Sequence, residues 1–322
     1  MATNRTLTAI RGVRVGHVQD LRRRTGTTVV LVNRPAVAFA DSRGGWPGTF
    51  DPAASDLGKT FVERHAFFLT GGDVYGLDAA AGIRRFLLER RLASPNVGGK
   101  MPSILGTVIY DLSFADTRGV DYAEMGYRAC VAAGRRPVPQ GNVGAGTGAT
   151  VGPFYGRSGG TKGGLGSSAS RVGPWTVGAI VVTNCVGNVY DPFENRTIGG
   201  MRRPGGFLEM EDVLEDYVRR VTTRFGTTIG VVGTDAPLDH EQLARLIELA
   251  HDGIALAVRP AHMSTDGDTL LGFTTGRPRT KRLDYRAFDA IHYVAVREVA
   301  RAAVSSVYAA TTLGGVPGYE DL

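Results

Sequence analysis

Cysteine is nearly absent: 322 residues hold only Cys130 and Cys185. So few thiols exclude a disulfide scaffold and leave no zinc pattern. One bridge could join the two, but a chain without a secretory signature is expected to keep both reduced. No long apolar run opens the chain. Residues 1–27 instead carry Arg5, Arg11, Arg14 and Arg22 to Arg24, so neither a signal peptide nor a membrane anchor is visible and a cytoplasmic address is expected. Charge of one sign is not gathered into a stripe either. The net charge is +6, yet basic residues come as scattered pairs such as Arg84-Arg85 and Arg219-Arg220, with acids between them and no interleaved aromatics. That is the pattern of a solvated surface, and no nucleic-acid partner is expected. No Walker A, H-E-x-x-H or G-x-S-x-G motif is present, and no cofactor or metal is expected.

Glycine, by contrast, is abundant, at 45 residues or roughly twice the usual share. It is clustered at Gly71-Gly72, Gly141 to Gly148, Gly159 to Gly166 and Gly199 to Gly206, where tight turns or close backbone approach are expected. Between the clusters, β-branched runs at Thr28 to Val32, Ile104 to Tyr110, Val177 to Thr183 and Thr228 to Gly233 predict buried strands. Leu77 to Leu92, Tyr122 to Ala133, His240 to Ala257 and Tyr285 to Ala310 read as amphipathic helices, the third capped by Asp239. The class is mixed α/β, with sheet layers covered by helices, in one large domain or two interleaved lobes. Asn195 to Gly206 reads as an exposed loop, and Glu209 to Arg220 as a surface helix or linker.

Several segments carry candidate chemistry. Gly144-Ala145-Gly146-Thr147-Gly148-Ala149 matches a dinucleotide fingerprint, but it follows a poor strand, Pro153 interrupts the next helix, and no acid stands near twenty residues on. None of the six histidines stands in a recognisable nucleophile-partner context, and His17, His65 and His251 read as packing or hydrogen-bonding residues, so the base of any hydrolase need not be histidine. Gly226-Thr227 enters a strand directly. A Thr freed at a new N-terminus would have its own α-amino group, with an ordinary pKa near 8, to take the hydroxyl proton. Asp266 and Asp268, two apart before the strand-like run Leu270 to Thr275, could both reach one centre; a polar turn is the plainer alternative. Asn184 ends an apolar strand, where its amide could serve as an oxyanion donor or simply form a turn.

Taken in order, these segments resemble the DmpA-type peptidases: β-aminopeptidases, L-aminopeptidase/D-amidases and the nylon-oligomer endohydrolase. The matching motifs run nearly end to end. They include Val15-Gly16-His17, Asp41-Ser42-Arg43-Gly44-Gly45, Leu69-Thr70-Gly71-Gly72, Tyr75 to Gly82, Val108 to Asp111 and Gly141 to Gly146. They continue through Lys162-Gly163-Gly164-Leu165-Gly166, Thr183-Asn184, Gly226-Thr227-Thr228, and Arg259-Pro260-Ala261-His262 leading to Asp266-Gly267-Asp268-Thr269.

The resemblance implies an αββα sandwich, cut between Gly226 and Thr227 into associated fragments 1–226 and 227–322, within a homo-oligomer, by family habit a tetramer. It further implies Thr227 as nucleophile, Asn184 on the oxyanion side, Asp266 and Asp268 as supporting carboxylates and Tyr110 at the substrate pocket. Two departures stand out: Pro153 occupies the place of a catalytic lysine of the nylon-hydrolase branch, with Lys162 nearby, and Gly226 stands where Asn is frequent. The activity implied is hydrolysis of peptide-like or 6-aminohexanoate-type oligoamides. An exo-acting aminopeptidase, an acyl transferase of the ornithine-acetyltransferase kind and a scaffold without catalysis are the alternatives.

Overall fold

The computed structural model describes residues 4–156, 159–219, 225–277 and 282–322. Its centre is a nine-stranded sheet. In chain order the strands are β1 (Val13–Asp20), β2 (Thr25–Ser42), β3 (Thr49–Phe50), β4 (Glu63–Thr70), β5 (Ile104–Val108), β6 (Gly164–Val172), β7 (Trp175–Asn184), β8 (Thr227–Thr234) and β9 (Thr269–Thr274). They lie in the order β6-β7-β8-β9-β2-β4-β5-β3, with β1 paired to β2.

Strand β2 lets this sheet form two layers. Its first half pairs with β4 and its second half with β9, and the β4 register shifts between Leu31 and Ala36. Asn33-Arg34-Pro35 falls in that irregularity, where a proline removes no needed ladder bond. The sequence expectation of a short strand ending at Val32 is therefore corrected: the apolar alternation resumes beyond the bend.

Period-two alternation then sorts the side chains into three cores. Val30, Val32, Phe67, Leu69, Ile180, Val182, Ile229, Val231, Leu271 and Phe273 fill the space between the layers. Val29, Leu31, Ala66 and Phe68 face outward onto helices α1 (Ala79–Glu89) and α2 (Tyr122–Ala132). Ala179, Val181, Val232 and Leu270 face outward onto α4 (His240–Ala257) and α5 (Tyr285–Tyr308). The result is the αββα sandwich. Each fully buried Leu, Ile, Val or Phe contributes roughly 1.5–3 kcal/mol.

Asp239 caps α4 as expected, accepting from Gln242 N at 2.8 Å in a capping box. Asn195 to Gly206 is not the exposed loop expected. Arg196–Gly199 pairs with the strand Asn188–Asp191, Ile198 and Met201 are buried, and Gly200 N donates to Thr161 Oγ1 at 3.0 Å. The two hydrophobic anchors outweigh the polar composition around them. Met210–Arg219 is a helix, α3, anchored by Val213; residues 220–224 lie outside the described residues. Cys130 and Cys185 are buried, free thiols. Among the described residues no helix is long and apolar enough to cross a membrane.

Candidate active site

Strand direction brings the candidate residues together. β7 runs antiparallel to β8, so its last residue, Asn184, sits opposite the first residue of β8, Thr227. β9 runs parallel to β8, so the Asp266-Gly267-Asp268 turn that leads into it lies at the same sheet end. The end of β2 returns there as well. Arg43 N donates to Asp268 O at 2.9 Å and Trp46 N to Asp266 O at 2.8 Å, and a Cβ on Gly44 would lie 2.3 Å from Asp266 O. The Asp41-to-Gly45 motif is thus the clasp on the acidic turn.

At the centre, the buried Thr227 hydroxyl donates to the carbonyl of Gly226 and accepts from Tyr110 N at 3.3 Å. Gly267 N donates to the same Gly226 carbonyl at 3.1 Å. One peptide bond therefore meets a hydroxyl on its own following residue and a backbone donor on its oxygen. A Cβ on Gly226 would come within 2.5 Å of both Asp266 Oδ1 and Val186 N, which accounts for glycine at this position.

The two carboxylates differ. Asp266 is fully buried, its Oδ2 accepts from Met263 N at 3.2 Å, and its Oδ1 has no hydrogen-bond partner. Burial, reinforced by the neighbouring Asp268 charge, pushes its carboxyl up to about 7. Asp268 is committed on both oxygens: Oδ1 accepts from Thr228 N at 2.6 Å, and Oδ2 accepts from His262 N at 2.9 Å and pairs with His262 Nδ1 at 2.8 Å. His262 in turn packs edge-on against His251, 5.0 Å between ring centroids, and burial lowers His251 to about 4. In sequence His262 is no more than the last residue of the Arg259-Pro260-Ala261-His262 motif. Its signal was weak, because six residues separate it from Asp268 across a left-handed turn at φ 59°.

Asn184 uses its amide on backbone. Nδ2 donates to Tyr110 O at 2.9 Å and Oδ1 accepts from Thr150 N at 2.9 Å, so it fixes the segment that presents Tyr110 N to Thr227. Lys162 does not stand in for a lysine at Pro153. Its Nζ donates to the carbonyls of Gly146 (3.0 Å), Ala149 (2.7 Å) and Gly163 (2.7 Å), which uses all three protons. Burial lowers it to about 7, and the nearby Asp111 charge opposes that shift. The Ala149–Thr150 peptide it holds is the one whose N–H anchors Asn184. The glycine-rich run itself is a buried 3-10 turn, Gly144–Gly148, in which a Cβ on Gly148 would lie 2.1 Å from Asp111 Oδ2. Its glycines serve close packing.

Beside Thr227 opens a cleft of about 80 Å³, lined by Trp46, Asp73, Val108, Tyr110, Phe225 and Thr265 among others. Asp73 is half-buried, and desolvation raises its carboxyl. Among the described residues, no group of three or more His, Cys, Asp or Glu side chains is arranged to hold a metal ion.

A helix-covered double sheet with a hydroxyl and a buried carboxyl at the start of a central strand is a fold shared with the N-terminal-nucleophile hydrolases. The chain belongs to peptidase family S58, whose model matches residues 5–320. It is 35% identical to an uncharacterized aminopeptidase of Mycobacterium leprae, over 98% of this chain and 93% of that one. It is 31% identical to the 6-aminohexanoate-oligomer endohydrolase of Paenarthrobacter ureafaciens, over 82% of this chain and 73% of that one. Among solved structures, the β-aminopeptidase of a Burkholderia species superposes with TM-score 0.70 at 25% identity, covering 98% and 91% of the two chains. The L-aminopeptidase D-Ala-esterase/amidase of Ochrobactrum anthropi, described as a variant of the Ntn hydrolase fold, gives 0.73 at 21% identity, covering 98% and 89%.

Proposed function

We propose that the protein is a self-processing amide hydrolase with Thr227 as its nucleophile, acting on peptide-like or 6-aminohexanoate-type oligoamides. The observation that carries this reading is the shared contact on Gly226 O, where the Thr227 hydroxyl and Gly267 N–H meet on one carbonyl. Thr227 Oγ1 adds to the Gly226 carbonyl carbon, and Gly267 N–H takes part of the charge that develops on the oxygen. The C–N bond then breaks, its nitrogen gains a proton, and Gly226 is left as an ester on Thr227. Water cleaves that ester, leaving a Gly226 carboxylate and a free Thr227 with both hydroxyl and α-amino group. Asp266, holding its proton near neutrality and lying against Gly226, is suited to move protons in these steps. Asp268 and His262 hold the start of β8, and Asn184 holds Tyr110. Substrate turnover repeats the acyl transfer to Thr227, with the α-amino group as base.

Fragments 1–226 and 227–322 would stay together, because β8 and β9 of the smaller one lie between β7 and β2 of the larger. The family resemblance adds assembly into a homo-oligomer. The intact mass of purified protein tests the reading: two species are expected, the smaller starting at Thr227, and a single fully active chain would sink it.

Exo action, as in an aminopeptidase, is a second reading favoured by Asp73, a carboxylate in the cleft that could receive a substrate ammonium. If blocking the substrate amine abolished turnover, the exo reading would replace endo action.

A further inference from the structure

Phe225, one residue before the Gly226-Thr227 peptide bond, is seated in the cleft. Its ring stands edge-on to Trp46 at 4.9 Å between centroids and tilted against Tyr110 at 5.1 Å. Trp46 is 67% exposed, so the indole that meets Phe225 is also open to a chain entering from solvent. It is nonetheless held in place, since Trp46 N donates to Asp266 O and Gly48 O accepts from Val108 N at 3.0 Å. Val108 closes the side of the cleft next to Tyr110.

We infer that the slot between Trp46 and Tyr110 is a substrate subsite that selects an aromatic residue one position upstream of a small acyl residue, as in a Phe-Gly amide. The inference rests on the proposed role of Thr227 and deepens it toward endo action. Its physical basis is that one nucleophile fixes one place for the carbonyl carbon it attacks. The chain on the acyl side of any amide cut by Thr227 must leave that point along the path Phe225-Gly226 takes. Glycine is required at the acyl position in the precursor because Asp266 Oδ1 and Val186 N leave no room for a Cβ. The aromatic ring one residue back fills the only part of this path walled by aromatic faces among the described residues. Before cleavage Phe225 occupies its own subsite. After cleavage the new carboxylate end weakens that hold, and an incoming chain can replace it.

The test compares acetyl-Phe-Gly-p-nitroanilide, acetyl-Ala-Gly-p-nitroanilide and unblocked Phe-p-nitroanilide, using purified wild-type enzyme with Thr227→Ala as background. The expected kcat/KM for the Phe-Gly substrate is about tenfold or more above that for Ala-Gly, the fold-change that burying a phenyl ring supplies. Trp46→Ala should shrink the ratio to roughly twofold, since removing one wall of the slot removes most of that burial. Thr227-dependent cleavage at equal rates on both blocked substrates would overturn the slot and leave the nucleophile standing. Cleavage of the unblocked anilide alone would do the same. Absence of Thr227-dependent cleavage on all three would overturn both.

Discussion

Two buried Gly-Thr pairs, Gly146-Thr147 in a 3-10 turn and Gly226-Thr227 at the start of β8, lie beside a buried carboxyl, and a cleft opens at the second. At the first, Asp111 accepts from Gly72 N at 2.7 Å, Lys162 gives each proton to a carbonyl, and Thr147 Oγ1 reaches Asn142 O at 3.3 Å. At the second, Thr227 bears on the carbonyl before it. Buried polar atoms nearby lack a partner: Asp266 Oδ1, Thr228 Oγ1, Thr265 Oγ1 and His262 Nε2. Buried polar atoms normally find partners, and each one left without costs roughly 1–3 kcal/mol. The difference teaches that at the Gly146 turn Lys162 and Asp111 are spent on backbone although Asn142 Oδ1 stays unpartnered, whereas beside Gly226 the buried carboxyl itself keeps an oxygen without a partner, of the kind that a reacting bond or a substrate would engage.

The sharpest way to break this comparison is Thr227→Ala. One uncut chain and a loss of roughly a thousandfold or more in amide hydrolysis are expected, read by mass and by turnover. Next in size is Asp266→Asn, expected to slow processing and turnover about a hundredfold. Because Asp266 is raised to about 7, its ionised form grows as pH rises through that value, so the wild-type rate should climb across it and the variant should not. The stability sign is the opposite. The folded chain holds this proton more tightly than the unfolded one, so stability falls between about pH 4 and 7, and titrated denaturation should show that slope flatten in Asp266→Asn.

Lys162→Met moves to the other turn. It leaves three buried carbonyls without their donor, and a stability loss of roughly 2–4 kcal/mol is expected in denaturant melts, with the Thr227-dependent rate falling less than for Asp266→Asn. Smallest is Thr147→Ala, about 1 kcal/mol with processing intact. Should Thr147→Ala block processing as Thr227→Ala does, the two turns are not different in kind.

Much of the fold was legible from residue pattern. The 3.6-residue apolar repeat and Asp239 cap of α4, and the β-branched runs of β7 and β8, depend on local periodicity alone. The continuation of β2 past Pro35 was not legible, because a proline is tolerated there only by virtue of a register shift against β4, between the pairs Leu31–Ala66 and Ala36–Arg64. The paired strand in Asn195 to Gly206 was hidden for a similar reason: it depends on burial of Ile198 and Met201 against distant segments.

Within the site, Thr227, Asn184, Asp266, Asp268 and Tyr110 were all nameable from their motifs, and the structure gathers them at one sheet end. What each one touches was not nameable. Asn184 bonding to Tyr110, His262 to Asp268, and Lys162 to the carbonyls of Gly146 and Ala149 are contacts across 6 to 74 residues, set by packing. Sequence by itself determined the chemistry on offer at Gly226-Thr227, since the hydroxyl, the carbonyl and the amide nitrogen between them are covalent neighbours. Only the tertiary structure decided that Gly267 N–H would meet that carbonyl and that Asp266 would be stripped of water beside it. A hydrogen bond to a distant backbone and a desolvated carboxyl exist only once the strands have paired.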